Sequence, residues 1–121
     1  MLNLLAVGAG GCIGSVLRYV IGLIPLQESC VFPIKTLVIN VLGCVAIGLI
    51  AAAVSRSAGH PQLLLFLKVG LCGGFTTFST FALETADLIR AGHTGAALLY
   101  VLVSVLAGVA VIFAVEGCSA T

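Results

Sequence analysis

The sequence predicts an all-α integral membrane protein with four transmembrane helices, and three observations support that fold class. First, the chain of 121 residues is 61% hydrophobic and only 7% charged, whereas about 25% of the residues of an ordinary soluble domain are charged. Second, its mean hydropathy is +1.32. Third, four apolar stretches are each long enough to cross a hydrocarbon core, which takes about 20 residues of helix. No stretch alternates with the period of two that a membrane barrel requires, so we expect helices.

The four predicted helices follow one another with short connections. We place them at about residues 2–26, 33–54, 62–89 and 94–115. The first ends near Pro25, and the polar stretches 27–29, 55–61 and 90–93 hold turn-forming or charged residues. These connections leave no room for a domain outside the membrane. We therefore predict a single transmembrane domain over residues 1–121.

The third predicted helix contains poor helix formers near its middle. Gly73 and Gly74 are adjacent, and hydroxyl residues follow them closely, at Thr76, Thr77 and Ser79. Such residues favour non-helical conformations, so we predict a break at about residues 73–77, at mid-membrane depth. Irregular backbone at that depth needs protein or a watery cavity around it, and broken helices there commonly mark ion sites. The residues alone leave a second interpretation open, in which the glycines form a packing face against another helix.

The basic residues show no bias towards one side of the membrane. Arg56 and Lys68 fall on the side of the termini, and Lys35 and Arg90 fall on the other side. Because positive charge in short loops normally sets orientation, a chain without this bias can insert both ways round. Two copies in opposite orientations can pair about an axis in the membrane plane, which predicts an antiparallel, dual-topology homodimer. The isolated basic residues and the net charge of +1 offer no patch for nucleic acid.

Polar side chains within the apolar stretches are the candidate functional residues, because polar groups are costly in hydrocarbon. Neutral donors on the second to fourth helices, with the positive edges of the Phe78 and Phe81 rings, suit a small anion that has lost its water. The structural alternatives are an interhelical hydrogen bond for Asn40 and plain packing for the two rings. Arg18 is interpreted as a structural, snorkelling charge. The polar residues in question are Thr36, Asn40, Thr76, Thr80, Glu84, Asp87, Tyr100 and Ser104.

The cysteines suggest neither a metal site nor a catalytic site. Cys12, Cys44 and Cys72 lie inside apolar stretches, and no C-x-x-C pair occurs. We interpret them as free thiols that pack like small hydrophobic residues. Since the sequence offers no nucleophile–base pair, we do not expect an enzyme.

Three motifs stand out along the chain. They are Gly10-Gly11-x-x-Gly14-x-x-x-Arg18-Tyr19, Thr36-Leu37-x-x-Asn40-x-x-Gly43, and Gly73-Gly74-Phe75-Thr76-Thr77-Phe78-Ser79-Thr80-Phe81-x-x-Glu84. They resemble the motifs of the Fluc (CrcB) fluoride channels of microbes; the third motif is very specific, and the similarity covers nearly the whole chain. The resemblance implies a multi-pass protein of the cell membrane (inner or plasma membrane) that exports cytoplasmic fluoride passively down its electrochemical gradient and so lowers fluoride toxicity.

The same resemblance implies roles for individual residues. It implies a structural sodium ion on the dimer axis, bound by backbone carbonyls of Gly73 and Thr76. From their positions, and not from the resemblance, we expect Arg18 and Glu84 to be structural or vestibule residues, since Glu84 lies near a helix end within reach of water. A hydroxyl that some relatives carry on a further turn of the fourth helix is absent here, because that position is Gly108. The implied fluoride pore is lined by Asn40, Phe78, Phe81, Thr80, Tyr100 and Ser104.

Two other functions fit a small four-helix membrane protein. A small multidrug transporter also inserts both ways round, but it needs a carboxylate in its first helix, and residues 1–27 contain no Asp or Glu. A structural subunit of a larger membrane complex would conduct no ion after purification and reconstitution. Fluoride efflux from reconstituted protein separates both alternatives from the channel.

Overall fold

The computed structural model describes residues 1–25, 31–56 and 60–119, and within those ranges it contains helices and no strand. Four helical stretches are long and apolar enough to cross a membrane, which confirms the predicted all-helical fold with four spans. We call them the first to fourth spans. They are Leu2–Gly22, Ile34–Arg56, Pro61–Arg90 and Thr94–Ser119.

Two helix ends differ from the prediction. The first span ends at Gly22 rather than near residue 26, because a residue before a proline disfavours the helical conformation, and Pro25 follows closely. The Lys35 ammonium donates to the carbonyl oxygen of Gly22 over 3.0 Å, which satisfies one of the acceptors that a helix end leaves open. The fourth span continues past residue 115 to Ser119, since no proline interrupts it.

Glycines bring the first span into backbone contact with the third. A Cβ atom added at Gly10 or Gly14 would meet the backbone of the third span, and one added at Gly70 would lie 2.9 Å from the Cα of Gly10. A Cβ atom at Gly74 would lie 2.6 Å from the carbonyl oxygen of Gly11. Small residues spaced by four allow membrane helices to approach this closely. The packing-face interpretation is therefore correct for Gly70 and Gly74.

The predicted break is also present, immediately after that glycine face. Thr76 (φ −80°, ψ 158°) and Thr77 (φ −151°, ψ 111°) are extended. The break is narrower than the predicted range of residues 73–77. The segment Gly73–Phe75 packs on the first span and stays helical. Along the third span, the described helical segments are Pro61–Leu64, a π-helix over Leu65–Cys72, Gly73–Phe75 and Phe78–Arg90.

The π-helix was not predicted, and only the short helix Gly73–Phe75 separates it from the break. π-Helical turns are rare and frequently occur at functional sites. A small buried cluster of Leu88, Ala97 and Tyr100 joins the helix that follows the break to the fourth span. Large apolar side chains elsewhere face outward, as Leu4 does at 77% exposure. The outer surface is therefore suited to lipid or to another protein.

Candidate functional site

Asn40 holds the two extended residues in place from the neighbouring second span. Its Oδ1 accepts a hydrogen bond from the Thr77 backbone N–H over 2.9 Å, and its Nδ2 donates to the Thr77 carbonyl oxygen over 3.3 Å. The Thr77 N–H loses its helical partner at the break, and a buried backbone group without a partner is costly. The Asn40 amide therefore replaces the missing helical bond and adds a second contact to the Thr77 carbonyl oxygen. Its second Nδ2 hydrogen has no partner among the described residues.

Thr77 starts the helix that follows the break. Its Oγ1 accepts from the Thr80 N–H over 3.2 Å and donates to the Thr80 hydroxyl over 2.9 Å. A threonine in this capping position satisfies one of the open N–H groups at a helix start. The helix Phe78–Arg90 thus begins in the interior of the span, and the positive end of its dipole lies there.

Two of these hydrogen bonds leave the carbonyl oxygens of Gly73 and Thr76 without the donors that a continuous helix would give them. In a continuous helix, the Thr77 N–H would donate to Gly73 and the Thr80 N–H to Thr76. Instead, these donors bond Asn40 Oδ1 and Thr77 Oγ1. Carbonyl oxygens without a donor are suitable ligands for a hard cation. Gly73 and Thr76 are the two residues for which the sequence resemblance implies sodium ligation, so the donor set fits that ion.

A cavity of about 360 Å³ lies beside the break, between the second and fourth spans. None of the described residues that line it is charged. The second span and the break contribute amide and hydroxyl groups, the helix after the break contributes two aromatic rings, and the fourth span contributes a serine. The lining residues are Asn40, Gly43, Cys44, Ile47, Thr76, Thr77, Phe78, Phe81, Ser104, Val105 and Ile112.

Two features of the lining indicate a polar ligand. The Ser104 hydroxyl oxygen is fully buried, yet no residue in the described part of the chain forms a hydrogen bond with it. Buried hydroxyl groups normally have a partner, so this serine keeps a hydrogen-bonding capacity that a rotation of its side chain would offer to a ligand in the cavity. The Phe78 and Phe81 rings lie with centroids 5.8 Å apart and are tilted by 42°. Phe78 is 80% exposed in the single chain, and its ring edge is therefore accessible.

A carboxylate organises the wall behind Phe81. The Thr36 hydroxyl donates to Glu84 Oε1 over 2.7 Å, and the Tyr100 hydroxyl donates to Glu84 Oε2 over 2.8 Å. Tyr100 is fully buried, and its ring centroid lies 5.0 Å from that of Phe81. Glu84 therefore fixes Tyr100, and Tyr100 supports the Phe81 ring from behind.

The structure brings some of the predicted site residues together and leaves others apart. Asn40, Phe78, Phe81 and Ser104 line one cavity, and Thr76 lines it as well. Tyr100 and Thr80 lie outside the lining and bond Glu84 and Thr77, respectively. Gly73 lies outside the lining. Arg18 is half-buried on the first span and does not line the cavity.

Sequence reasoning missed Thr77 as the residue that connects the break to Asn40. The available signal was a hydroxyl residue directly before the resumed helix, which is typical of an N-cap. It also missed Gly43 and Cys44, which follow Asn40 on the lining side of the second span. A Cβ atom at Gly43 would collide with the Thr76 methyl group, so this glycine lets the break approach the second span.

Comparisons with known proteins match nearly all of the chain. The family model described as "CrcB-like protein, Camphor Resistance (CrcB)" matches residues 5–117. A protein of Methylobacterium sp. (strain 4-46), named "Fluoride-specific ion channel FluC", is 47% identical over 119 residues, which are 95% of this chain and 96% of that protein. A protein of the same name from Azobacteroides pseudotrichonymphae is 41% identical over 108 residues, with 88% and 86% covered. Another, from Rhizobium meliloti (strain 1021), is 42% identical over 116 residues, with 94% and 93% covered.

Proposed function

Because the chain belongs to the CrcB-like protein family, whose similar members are named fluoride-specific ion channels, we propose that it is a fluoride-selective channel. It exports cytoplasmic fluoride passively through the cell membrane, down the electrochemical gradient. The observation that carries the proposal is the break at Thr76 and Thr77, which adjoins a cavity of neutral hydrogen-bond donors. Membership of a channel family gives no reason to expect catalysis, so we assign no catalytic residues to this chain.

The lining suits a small anion that moves through rather than one that stays bound. Fluoride must exchange its water for other donors. The free Nδ2 hydrogen of Asn40 is available for that purpose, and the unpartnered Ser104 hydroxyl becomes available when its side chain turns towards the cavity. The edges of the Phe78 and Phe81 rings add weak positive potential. The described lining holds no ammonium or guanidinium group, so binding is favourable without being tight, as conduction requires.

Thr80 and Tyr100 contribute to the proposed pore indirectly, because each contacts a residue that lines the cavity. Thr80 bonds the hydroxyl group of Thr77, and Tyr100 packs against Phe81. In the proposal, these contacts keep the break and the ring at the positions that face the ion. Glu84 contributes by fixing Tyr100, since its carboxylate accepts the tyrosine hydroxyl.

We further propose that two copies form an antiparallel homodimer. Gly73, Phe78 and Ser79 are exposed in the single chain, in the middle of a membrane span and next to carbonyl oxygens without helical donors. Lipid cannot satisfy such backbone groups, so a second copy or enclosed water has to cover them. An isologous pair covers the same face on both chains, and the balanced loop charges support insertion in both orientations.

The proposed dimer also provides a place for the sodium ion. Two carbonyl oxygens from each copy, those of Gly73 and Thr76, would give an oxygen ligand set on the two-fold axis. When bound, the ion would supply a fixed positive charge near the path, which raises the potential for anions. The chain's own contribution is to keep these carbonyls free, through Asn40 and Thr77.

Fluoride release from proteoliposomes tests the proposed function. We expect vesicles loaded with fluoride and containing the folded protein to release it rapidly, as measured with a fluoride electrode after a potassium ionophore removes the opposing voltage. Chloride should stay inside the same vesicles, and protein-free vesicles should hold both ions. No fluoride release from verified, folded protein would refute the channel and leave the structural-subunit hypothesis.

The accessibility of a tagged terminus tests the antiparallel dimer. We expect a tag at the amino terminus to react with an impermeant label from both sides of the membrane in roughly equal amounts, because the loops carry no charge bias. Cross-linking of these proteins in membranes should give a two-chain product. Labelling from one side only would contradict dual topology without affecting the fluoride measurement.

A further inference from the structure

One thiol lies in the wall of the cavity beside the break. Cys44 is on the second span, four residues after Asn40, and both line the cavity. Residues four apart share one face of a helix. Cys44 is half-buried and forms no disulfide. Cys44 is therefore part of the wall around the space that an ion in the cavity would occupy.

The fourth span leaves room for this thiol by carrying a glycine opposite it. A Cβ atom added at Gly108 would lie 3.3 Å from the Cys44 sulfur and would have no other such neighbour within 4 Å. Gly108 is one turn beyond Ser104, whose buried hydroxyl oxygen lacks a partner in the described part of the chain. The Cys44 thiol thus occupies the space that a side chain at position 108 of the fourth span would fill.

The cavity changes from polar to apolar at the level of Cys44. The second and fourth spans run in the same direction, because one span, the third, lies between them in the chain. Asn40 and Ser104 line the polar part, while Ile47 and Ile112 line the part beyond Cys44. A thiol is a weak hydrogen-bond donor. Cys44 is accordingly the last donor that this wall offers before the isoleucines.

We propose that the Cys44 thiol forms part of the fluoride path, so that a small thiol-reactive reagent blocks conduction by modifying this residue. This rests on the proposed channel function. With methyl methanethiosulfonate, the Cys44 thiol loses its proton to water, and the thiolate attacks the methylthio sulfur. A new S–S bond forms, the S–S bond of the reagent breaks, and methanesulfinate leaves with the electron pair. The product carries an apolar S–CH₃ group where the donor hydrogen was.

The first test compares fluoride efflux before and after treatment with methyl methanethiosulfonate. We expect the flux of the wild-type protein to fall by about tenfold or more, which corresponds to about 1.4 kcal/mol in the barrier. Cys44→Ser keeps a donor of similar size but lacks the reactive thiol. Methyl methanethiosulfonate should therefore leave the flux of this variant at its own untreated rate. Cys12→Ala is the matched control: Cys12 is exposed on the first span and does not line the cavity. This variant should remain as sensitive as wild type.

The second test does not depend on the flux of any variant. Mass spectrometry of the wild-type protein should show that loss of flux follows the same time course as modification of Cys44, and that fluoride slows this modification while chloride does not. Full modification of Cys44 with unchanged flux would overturn the proposal, as would equal sensitivity of Cys44→Ser and wild type. If the untreated protein releases no fluoride, the channel function itself fails; protection of Cys44 by fluoride still tests whether the ion enters this cavity.

Discussion

Replacing Asn40 with alanine is expected to remove most of the fluoride flux and to destabilise the break. Alanine leaves the Thr77 N–H and carbonyl without the partners that Asn40 provides at 2.9 and 3.3 Å, and each buried group left unsatisfied costs about 1–3 kcal/mol. It also removes the free Nδ2 hydrogen from the cavity. A hydrogen bond to a charged ligand contributes about 1.5–3 kcal/mol, so its loss should lower flux by about 10- to 150-fold.

A second variant separates the two roles of Asn40. Asn40→Asp keeps an acceptor for the Thr77 N–H but has no donor, and its charge repels anions. We expect it to retain more thermal stability in detergent than Asn40→Ala while conducting no better. Asn3→Ala is the matched control, because Asn3 is exposed on the first span. If Asn40→Ala matched Asn3→Ala in both flux and melting temperature, Asn40 would have neither role.

Replacing Phe78 and Phe81 with isoleucine is expected to lower flux while the protein stays folded. Isoleucine keeps the apolar bulk but has no positive ring edge. Pairs of aromatic rings contribute about 0.5–1.5 kcal/mol, and we take the contact between a ring edge and an anion to be of the same order. Each single change should then lower flux by up to about tenfold, and the double change by up to about a hundredfold. The measurement is efflux from proteoliposomes, with gel filtration to verify the assembly.

The fourth span offers a control for these ring substitutions. Phe113 is 71% exposed and does not line the cavity. Phe113→Ile therefore makes the same replacement of an aromatic ring by isoleucine, but away from the proposed path. It should leave flux at the wild-type value. Wild-type flux in Phe78→Ile, in Phe81→Ile and in the double variant would exclude ring edges from the conduction mechanism.

The break could be predicted because its cause is local. Adjacent glycines followed by hydroxyl residues disfavour a helix wherever they occur. The backbone becomes extended at the hydroxyl residues Thr76 and Thr77, while the glycines before them remain helical. The π-helix Leu65–Cys72 could not be predicted, because nothing in its composition distinguishes a π-helix from an α-helix. Its winding accompanies the close backbone contact of Gly70 with the first span, which is a tertiary effect.

The partners of the site residues also depend on tertiary structure. Asn40 was a candidate from its depth in an apolar helix, but its two bonds to Thr77 connect residues 37 positions apart. The bond from Thr36 to Glu84 spans 48 positions. The periodicity of a sequence identifies which residues share one face of a helix, but it does not show which other helix packs against that face. The resemblance assigns Tyr100 to the pore, and in the single chain its hydroxyl donates to Glu84 while the residue lies outside the cavity lining.

The most direct test of the central claim is an experimental structure of the protein in a lipid bilayer with fluoride. We expect extended backbone at Thr76 and Thr77, a hydrated path beside it, and fluoride at about 2.7–3.2 Å from Asn40 Nδ2. A continuous helix through these threonines that faces lipid, with Asn40 remote from any water, would contradict the claim that the broken span forms the conducting path.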